Sequence, residues 1–571
     1  AVPEKPRLLG LLKPRTEKFD GFIARGGKLY EESREAFAED PYRLIRAFHH
    51  MQVRQLELST ELRDLIRRRL RLVDRTFQYA RASRETFLAI LSHKGEVGRI
   101  LREMHDLGFL GRYVPEFGAL TCLVQHEFYH RYSTDEHTLV CIEKLDGLLF
   151  AQEARFRGYR ALFQKLEDPA MLYFALLLHD TGKAANQRHH EDASAVLAQK
   201  VARRLQLSPE RRRMLIMLVN SHYEISSTAQ KRNLDDPATI AEFAGIVGNQ
   251  ANLDALMLLT LADGMGTSDQ NWSDWKEGLV WTLYRRTRGY LEAGPATIAQ
   301  LRKSREDLHV GVSKRLSRDY TEEIEAHFQH MPERYFQMFD AEQIAGHLKL
   351  FRVFLETHLH ADNPPPYAPA FKWIAKPEQG HSEVWVCGWD RRRLLERLAG
   401  AFLTGQINIL SADIFTRGDN LALDIFRVCT PQLAPVTNTR DIIKVETRLI
   451  ESLAVEDFDF VPLIGKDTRM GTYRISQEAD LPTKITVDNI SHPNYTLVDI
   501  QTPDRLGLLY DLLRTLGETG VRIELSRITT EMEVAMDSFY ITTREGGKVE
   551  DDATIARIQR LLQRISARPL K

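Results

Sequence analysis

The sequence predicts a multidomain chain in which an all-α body is followed by two α+β repeats. Three observations carry this. Apolar residues recur at helical spacing through roughly the first 360 positions, a proline-rich stretch then interrupts the chain, and the tail beyond it aligns with itself. A length of 571 residues allows about three or four domains, each able to bury its own core.

In the body, Pro41–Gln52, Glu61–Tyr79, Leu139–Phe150 and Asn252–Met265 show helical apolar spacing and lack the short alternating runs of strands. From Asn363 to Pro369 there are four prolines in seven residues. No helix continues through such a stretch, so it reads as a stiff linker and a domain boundary. Beyond it, Glu383–Gly388, Ile407–Phe415 and Ala422–Val428 are candidate strands. Val384 through Arg391 align with Val498 through Arg505 at an offset of 114, as do Leu394-Leu395 with Leu508-Leu509. Ala422-Leu-Asp424-Ile-Phe426 then aligns with Ala535-Met-Asp537-Ser-Phe539 at an offset of 113, which is one deletion later. Two copies of a strand–helix–strand–strand unit of about 70 residues account for the pattern.

Composition narrows the classes. With 78 Lys+Arg against 79 Asp+Glu the net charge is -1, so no global basic field supports nucleic-acid binding. Hydrophobic residues at 43% and charged residues at 27% are globular values and exclude a disordered or fibrous chain. Cys122, Cys141, Cys387 and Cys429 form no CxxC pair, which argues against a disulfide framework or a zinc ribbon and for a reducing cytoplasmic setting. Apolar runs such as Met171–Leu178 fall far short of the ~20 residues that span a bilayer. No signal peptide is visible, and the chain begins at Ala1 without Met, as a fragment of a longer protein would.

Seven of the 19 histidines fall within 97 residues: His126, His130, His137, His179, His189, His190 and His222. The sharpest element is Leu176-Leu-Leu-His179-Asp180-Thr-Gly-Lys183, an apolar helix ending in adjacent His and Asp with a cation close behind. Neighbours on a helix diverge by about 100°, so both can meet one ion only near a helix end or with help from other helices. His137 and Asp263 offer that help. A buried aspartate is costly unless paired or metal-bound, and imidazole with carboxylate suits a first-row divalent ion.

These residues carry a family resemblance. His137, His179-Asp180 and Asp263 resemble the H…HD…D signature of HD-superfamily metal-dependent phosphohydrolases, and the repeated tail resembles a pair of ACT domains. The closer resemblance is to the bifunctional uridylyltransferase/uridylyl-removing enzymes of PII signal proteins. It rests on Tyr132–Thr138, Ala229–Arg232, Leu261–Asp263, Trp272–Lys276, Met331–Phe336 and Val487–Asn489. The implied fold is an all-α HD-superfamily domain with helical extensions, followed by two α+β ferredoxin-like (βαββαβ) ACT domains. The expected divisions are a helical remnant over 1–120, the HD domain over 121–300, a helical extension over 301–362 and a linker over 363–380. ACT domains over 381–455 and 493–571 flank a connector over 456–492. That family also carries a nucleotidyltransferase domain with a Gly-Ser loop and paired aspartates. Neither is found here, because Gly26-Gly27 has no Asp-x-Asp nearby and reads as a turn. The expectation is a truncated form that keeps removal and lacks transfer.

The resemblance implies hydrolysis of a uridylyl-tyrosine phosphodiester on PII under glutamine control. The implied ligands of a divalent metal (Mn, Mg or Fe) are His137, His179, Asp180 and Asp263, with His190 and His222 for a second ion or the phosphate. Catalysis would fall to His179, Asp180 and Lys183, the lysine steadying a phosphate oxygen. Asp504, Arg505, Gly507 and Leu508 would bind the effector, with Asp390 and Arg391 as counterparts in the first repeat, where Arg393 replaces the glycine. Uridylylated PII and glutamine are the expected partners, with no nucleic acid and no membrane. The rival readings are another ACT-regulated HD hydrolase, such as one acting on guanosine tetraphosphate, and a non-catalytic amino-acid sensor. The first would need a synthetase-like region for which 300–362 is too short.

Overall fold

The computed structural model describes residues 16–123, 133–185, 190–267, 272–293, 305–360, 367–391, 393–456, 458–464, 483–531 and 534–566. The chain forms two compact units, Ala1–Ile225 with Ile246–Trp272, and Ser226–Gly245 with Ser273–Lys571.

The first unit opens with a small sheet. Strands β1 (Glu17–Phe19), β2 (Phe22–Arg25) and β3 (Lys28–Glu31) form an antiparallel meander, and β4 (Glu57–Leu58) pairs with β3 in parallel. Both hairpins turn on two residues with positive φ, Asp20-Gly21 and Gly26-Gly27, the backbone that matches strand twist. The all-helical expectation for residues 1–120 is corrected here. Strands of two to four residues leave too few positions for a period to show.

Helices build the rest of this unit. Pro169–Leu178 is buried at every position, as expected of a helix that is apolar all round. Pro169 sits where its missing N–H leaves no bond unmade. The helix Gln250–Thr267 is similarly apolar, with Leu253 and Ala255–Ala262 buried. Core helices therefore deliver their ends, and the polar residues at those ends, to the interior.

In the second unit, helices precede a nine-stranded sheet. Its strands are β5 (Ala370–Lys376), β6 (His381–Trp389), β7 (Asn408–Thr416), β8 (Leu421–Cys429), β9 (Lys484–Asp488), β10 (Thr496–Pro503), β11 (Arg522–Arg527), β12 (Thr530–Glu531) and β13 (Val534–Thr542). The order is β5-β6-β8-β7-β11-β13-β10-β9, with β12 beside β13. The two repeats join edge to edge through β7 and β11, where Ser526 faces Ala412. Val384, Phe426, Val498 and Phe539 point to one core with the helices Leu394–Thr404, Thr439–Ala454, Leu508–Thr519 and Asp552–Ser566. On the opposite face, Trp385, Leu423 and Ile425 pack with Leu348 and Phe351 of the helix Ala341–His360.

The α+β class of the tail holds, with one difference in chain order. Each repeat takes its outer strand from the N-terminal side, β5 beside β6 and β9 beside β10. Both strands lie in stretches that read as linker and connector.

Candidate metal centre

Four helix ends bring the polar residues of the first unit together. His137 lies in the first turn of the helix Thr134–Gly147. His179 and Asp180 follow the apolar helix Pro169–Leu178, and His222 follows Pro209–Asn220. Asp263 lies near the end of Gln250–Thr267. His137 Nε2 is 3.0 Å from Asp263 Oδ1 and 4.0 Å from Asp180 Oδ2. His179 Nε2 lies 3.3 Å from Asp180 Oδ2 and 3.7 Å from Asp263 Oδ1. The rings of His179 and His222 meet edge to face at 5.3 Å.

Two of the histidines are oriented alike. His179 Nδ1 is 2.7 Å from the Leu176 carbonyl, and His222 Nδ1 is 2.7 Å from the Val219 carbonyl. A carbonyl only accepts, so each Nδ1 carries a proton and each ring turns its Nε2 inward. Both Nε2 atoms are buried without a hydrogen-bond partner, as is Asp180 Oδ1. Such orphaned atoms are expensive in a dry interior. The ligand atoms of His137, His179 and Asp180 lie within 4.8 Å of one another. Buried nitrogen and carboxylate donors converging in this way fit a first-row divalent ion.

The electrostatics are those of a coupled cluster. Burial pushes the Asp180 carboxyl up, but His179, Lys183 and His137 outweigh it and hold it well below its usual range. Burial opposes charge on His137, while Cys141 and the Asp263 carboxylate raise its pKa well above the ordinary imidazole value. His222 is driven the other way, to about 4, by burial and by neighbouring His179.

Lys183 lies on the short turn Thr181–Ala185 and is buried, with Nζ 2.9 Å from Asp180 Oδ2. The turn is held by Thr181 Oγ1, which donates to the Leu178 carbonyl, and by Gly182 N, which donates to Ser194 Oγ. Asp135 and Glu136 are engaged elsewhere, with His105 and with Arg102. His126, His130 and His189 lie outside the described residues, as does the side chain of His190. Sequence reasoning missed Cys141, one turn after His137, whose Sγ is 3.5 Å from His137 Nε2 and which forms a second ligand group with His137 and Asp263. The i, i+4 spacing of His137 and Cys141 was the available signal.

In the second unit the expected effector loops have the same backbone in both repeats. Gly507 (φ 77) precedes Leu508–Thr519 and Arg393 (φ 68) precedes Leu394–Thr404. Asp504 accepts from Arg505 N at 2.8 Å and from Thr530 Oγ1 at 3.1 Å. The Arg505 guanidinium binds Asp511 at 2.6 Å, and Arg391 donates to the Leu453 carbonyl at 2.8 Å. Asp390 N donates to the Asn420 carbonyl at 2.8 Å. Leu508 is buried in the helix-covered core.

Fold and site together define an HD-domain protein with a paired ACT-type tail. Residues 148–263 match the HD domain family, and residues 484–571 match the ACR9-like, ACT-like domain. Residues 22–113 match the Uridylyltransferase GlnD third domain. Along nearly its whole length the chain is a homologue of proteins named bifunctional uridylyltransferase/uridylyl-removing enzyme. It is 29% identical to that of Rhodospirillum rubrum over 569 residues, covering 97% of this chain and 58% of the relative. The Caulobacter vibrioides protein is 30% identical over 558 residues, covering 95% of this chain and 57% of the relative. The Azospirillum brasilense protein is 28% identical over 567 residues, covering 97% and 58%. The chain thus spans a little over half the length of these relatives. Among the described residues, no helix is long and apolar enough to cross a membrane.

Proposed function

We propose that the chain is a metal-dependent phosphodiesterase that removes the uridylyl group from a tyrosine of PII signal protein and responds to glutamine. The observation that carries this reading is the inward convergence of His137, His179, Asp180 and Asp263, with the bare Nε2 of His222 beside them. These residues would hold the ion, and His190 is a further candidate ligand. A divalent ion bound there supplies Lewis acidity to a phosphoryl oxygen and acidifies a water. The carbonyl bonds of His179 and His222 keep their rings from turning, so the donors need little reorganisation. Lys183 neutralises Asp180 and stands close enough to the cluster to balance phosphate charge. Water attacks phosphorus, the bond to the tyrosine oxygen breaks, and UMP and tyrosine leave. Glutamine is assigned to the loop of Asp504, Arg505, Gly507 and Leu508, with Asp390 and Arg391 in the corresponding place of the first repeat.

The test is UMP release from uridylylated PII, with metal content measured on the same preparation and with glutamine present or absent. Metal-loaded protein should release UMP faster with glutamine. His179→Ala and Asp180→Ala should fold, lose metal and lower the rate at least about 100-fold. Full turnover by either variant would overturn the assignment.

A further inference from the structure

Where the two repeats join edge to edge, the sheet face turned away from the helix-covered core buries an aspartate in an apolar row. Cross-strand register sets Ile425, Asp413, Leu525 and Tyr540 side by side on β8, β7, β11 and β13. Asp413 is 0% exposed. The next row along the same strands is polar, with Arg427, Ser411, Arg527 and Ser538 in the same order. Directly opposed residues of antiparallel strands share a face, and the intervening Ala412, Phe426 and Phe539 point to the helices.

Three guanidinium groups gather around Asp413. Arg427 Nη1 lies 2.7 Å from Asp413 Oδ2 and 3.2 Å from Ser411 Oγ. Arg334 comes from the helix Glu333–Met338 and places Nη2 3.8 Å from Asp413 Oδ1. The same Nη2 donates to the Glu524 carbonyl at 2.9 Å, and the guanidinium lies 4.7 Å from the centre of the Phe415 ring. Arg527, 6% exposed, stands across Ser411 from Arg427. Burial pushes the Asp413 carboxyl up, but Arg427, Arg527 and Arg334 outweigh it and hold it below its usual range.

The hydrogen bonds of this cluster do not close. Arg334 Nε and Nη1 and Arg527 Nε are buried without a partner, and so is Asp413 Oδ1. The neighbouring carboxylates are engaged elsewhere. Asp235 pairs with Arg286 at 2.6 Å, Asp499 pairs with Arg232 at 3.2 Å, and Glu383, across from Arg427, accepts from the Trp385 indole at 3.4 Å. Unmade bonds on buried charged groups are costly, for donors and acceptors alike. A guanidinium can only donate and a carboxylate can only accept. What satisfies both at once is a compact group that carries acceptor oxygens together with a hydroxyl.

We propose that this cluster at the seam of the repeats binds hydrogenphosphate. Its bare oxygens accept from Arg334 and Arg527, and its hydroxyl donates to Asp413 Oδ1. Sulfate has the same tetrahedral shape but no proton to give, so the Asp413 carboxylate repels it. The assignment rests on unmet hydrogen bonds rather than on net charge. It lies apart from the loops assigned to the effector and does not depend on the reading of the metal centre.

The test is titration calorimetry on the full chain with inorganic phosphate and with sulfate, chelator being present so that the metal centre takes no part. Phosphate should bind at least about tenfold more tightly than sulfate, the effect of one hydrogen bond to a charged group gained against one repulsion. Arg527→Gln should weaken phosphate about tenfold. Asp413→Asn removes the repulsion and should bring the two anions to within about twofold of each other. Thermal melts should show both variants folded, and the ratio measured on the parent chain decides the matter without them. Absence of phosphate binding, sulfate binding as tightly as phosphate to the parent (an adventitious ion only), or selectivity unchanged in folded Asp413→Asn would overturn the proposal.

Discussion

Asp537 lies on β13 between Ala535 and Phe539, in a column of side chains that otherwise faces the helix-covered core. Asp424 holds the same place on β8, between Ala422 and Phe426. Each has a buried Oδ1 without a hydrogen-bond partner. Burial, aided by the charge of Asp504, pushes the Asp537 carboxyl well above its usual range, and burial with Asp390 does the same to Asp424. An acid shifted this way keeps in the fold a proton that the unfolded chain releases near pH 4. Stability therefore falls as pH rises from there through the folded-state pKa. Asp537→Asn supplies the neutral form permanently. Its melting temperature should exceed that of the parent at pH 8 by a few degrees, at about 2–4 °C per kcal/mol, and the difference should vanish near pH 4. A gain independent of pH would show that the carboxyl is ionised in the fold.

At the scale of elements, the metal centre depends on how closely two helices approach. A Cβ built on Gly266 would lie 2.3 Å from Cys141 Sγ and 3.3 Å from the Cys141 backbone, so Gln250–Thr267 and Thr134–Gly147 meet there with no room for a methyl group. Asp263 is one turn back on the same helix, at its 3.0 Å contact with His137. Gly266→Ala should move the helices apart, lower stability by about 1–3 kcal/mol and weaken both metal retention and UMP release. Gly147→Ala meets nothing within 4 Å and should leave both unchanged. Retained metal in Gly266→Ala would show that the pair can adjust without loss of the site. This dependence is invisible in sequence, because the apolar period fixes which face of a helix is buried but not how near its neighbour comes. The His179-Asp180 pair was legible because it ends a uniformly apolar helix, and His137 and Asp263 because their sequence context was distinctive. Cys141 offered only its i+4 spacing from His137, and a lone buried cysteine otherwise reads as a small apolar residue. Strands β1 to β4 escaped notice by their brevity, and β5 by its flanking prolines. The internal repeat exposed the central strands of the tail because packing in both copies demands the same alternation.

For the whole molecule, the informative stretch is Ser226–Gly245, which interrupts the first unit in sequence yet belongs to the second. Arg232 NH1 lies 3.2 Å from both Asp499 oxygens on β10, and Asn233 N donates to the Tyr540 hydroxyl on β13 at 2.9 Å. His492 pairs with Asp236 at 3.2 Å, and Arg286 with Asp235 at 2.6 Å. A segment beginning four residues after His222 in sequence is thus fastened to the second repeat by the buried Asn233–Tyr540 bond and the part-buried Arg232–Asp499 pair. Tyr540→Phe removes only the hydroxyl and leaves the Asn233 N–H without its acceptor, at a cost of about 1–3 kcal/mol. Coupling between an effector and a distant reaction requires contacts that differ between two states, and on the proposed reading these bonds within the second unit are candidates for such contacts. Tyr540→Phe should reduce the glutamine stimulation of UMP release several-fold while leaving glutamine affinity and metal content near those of the parent. Undiminished stimulation would show that the attachment serves stability alone, whereas loss of metal would place the defect in folding of the centre.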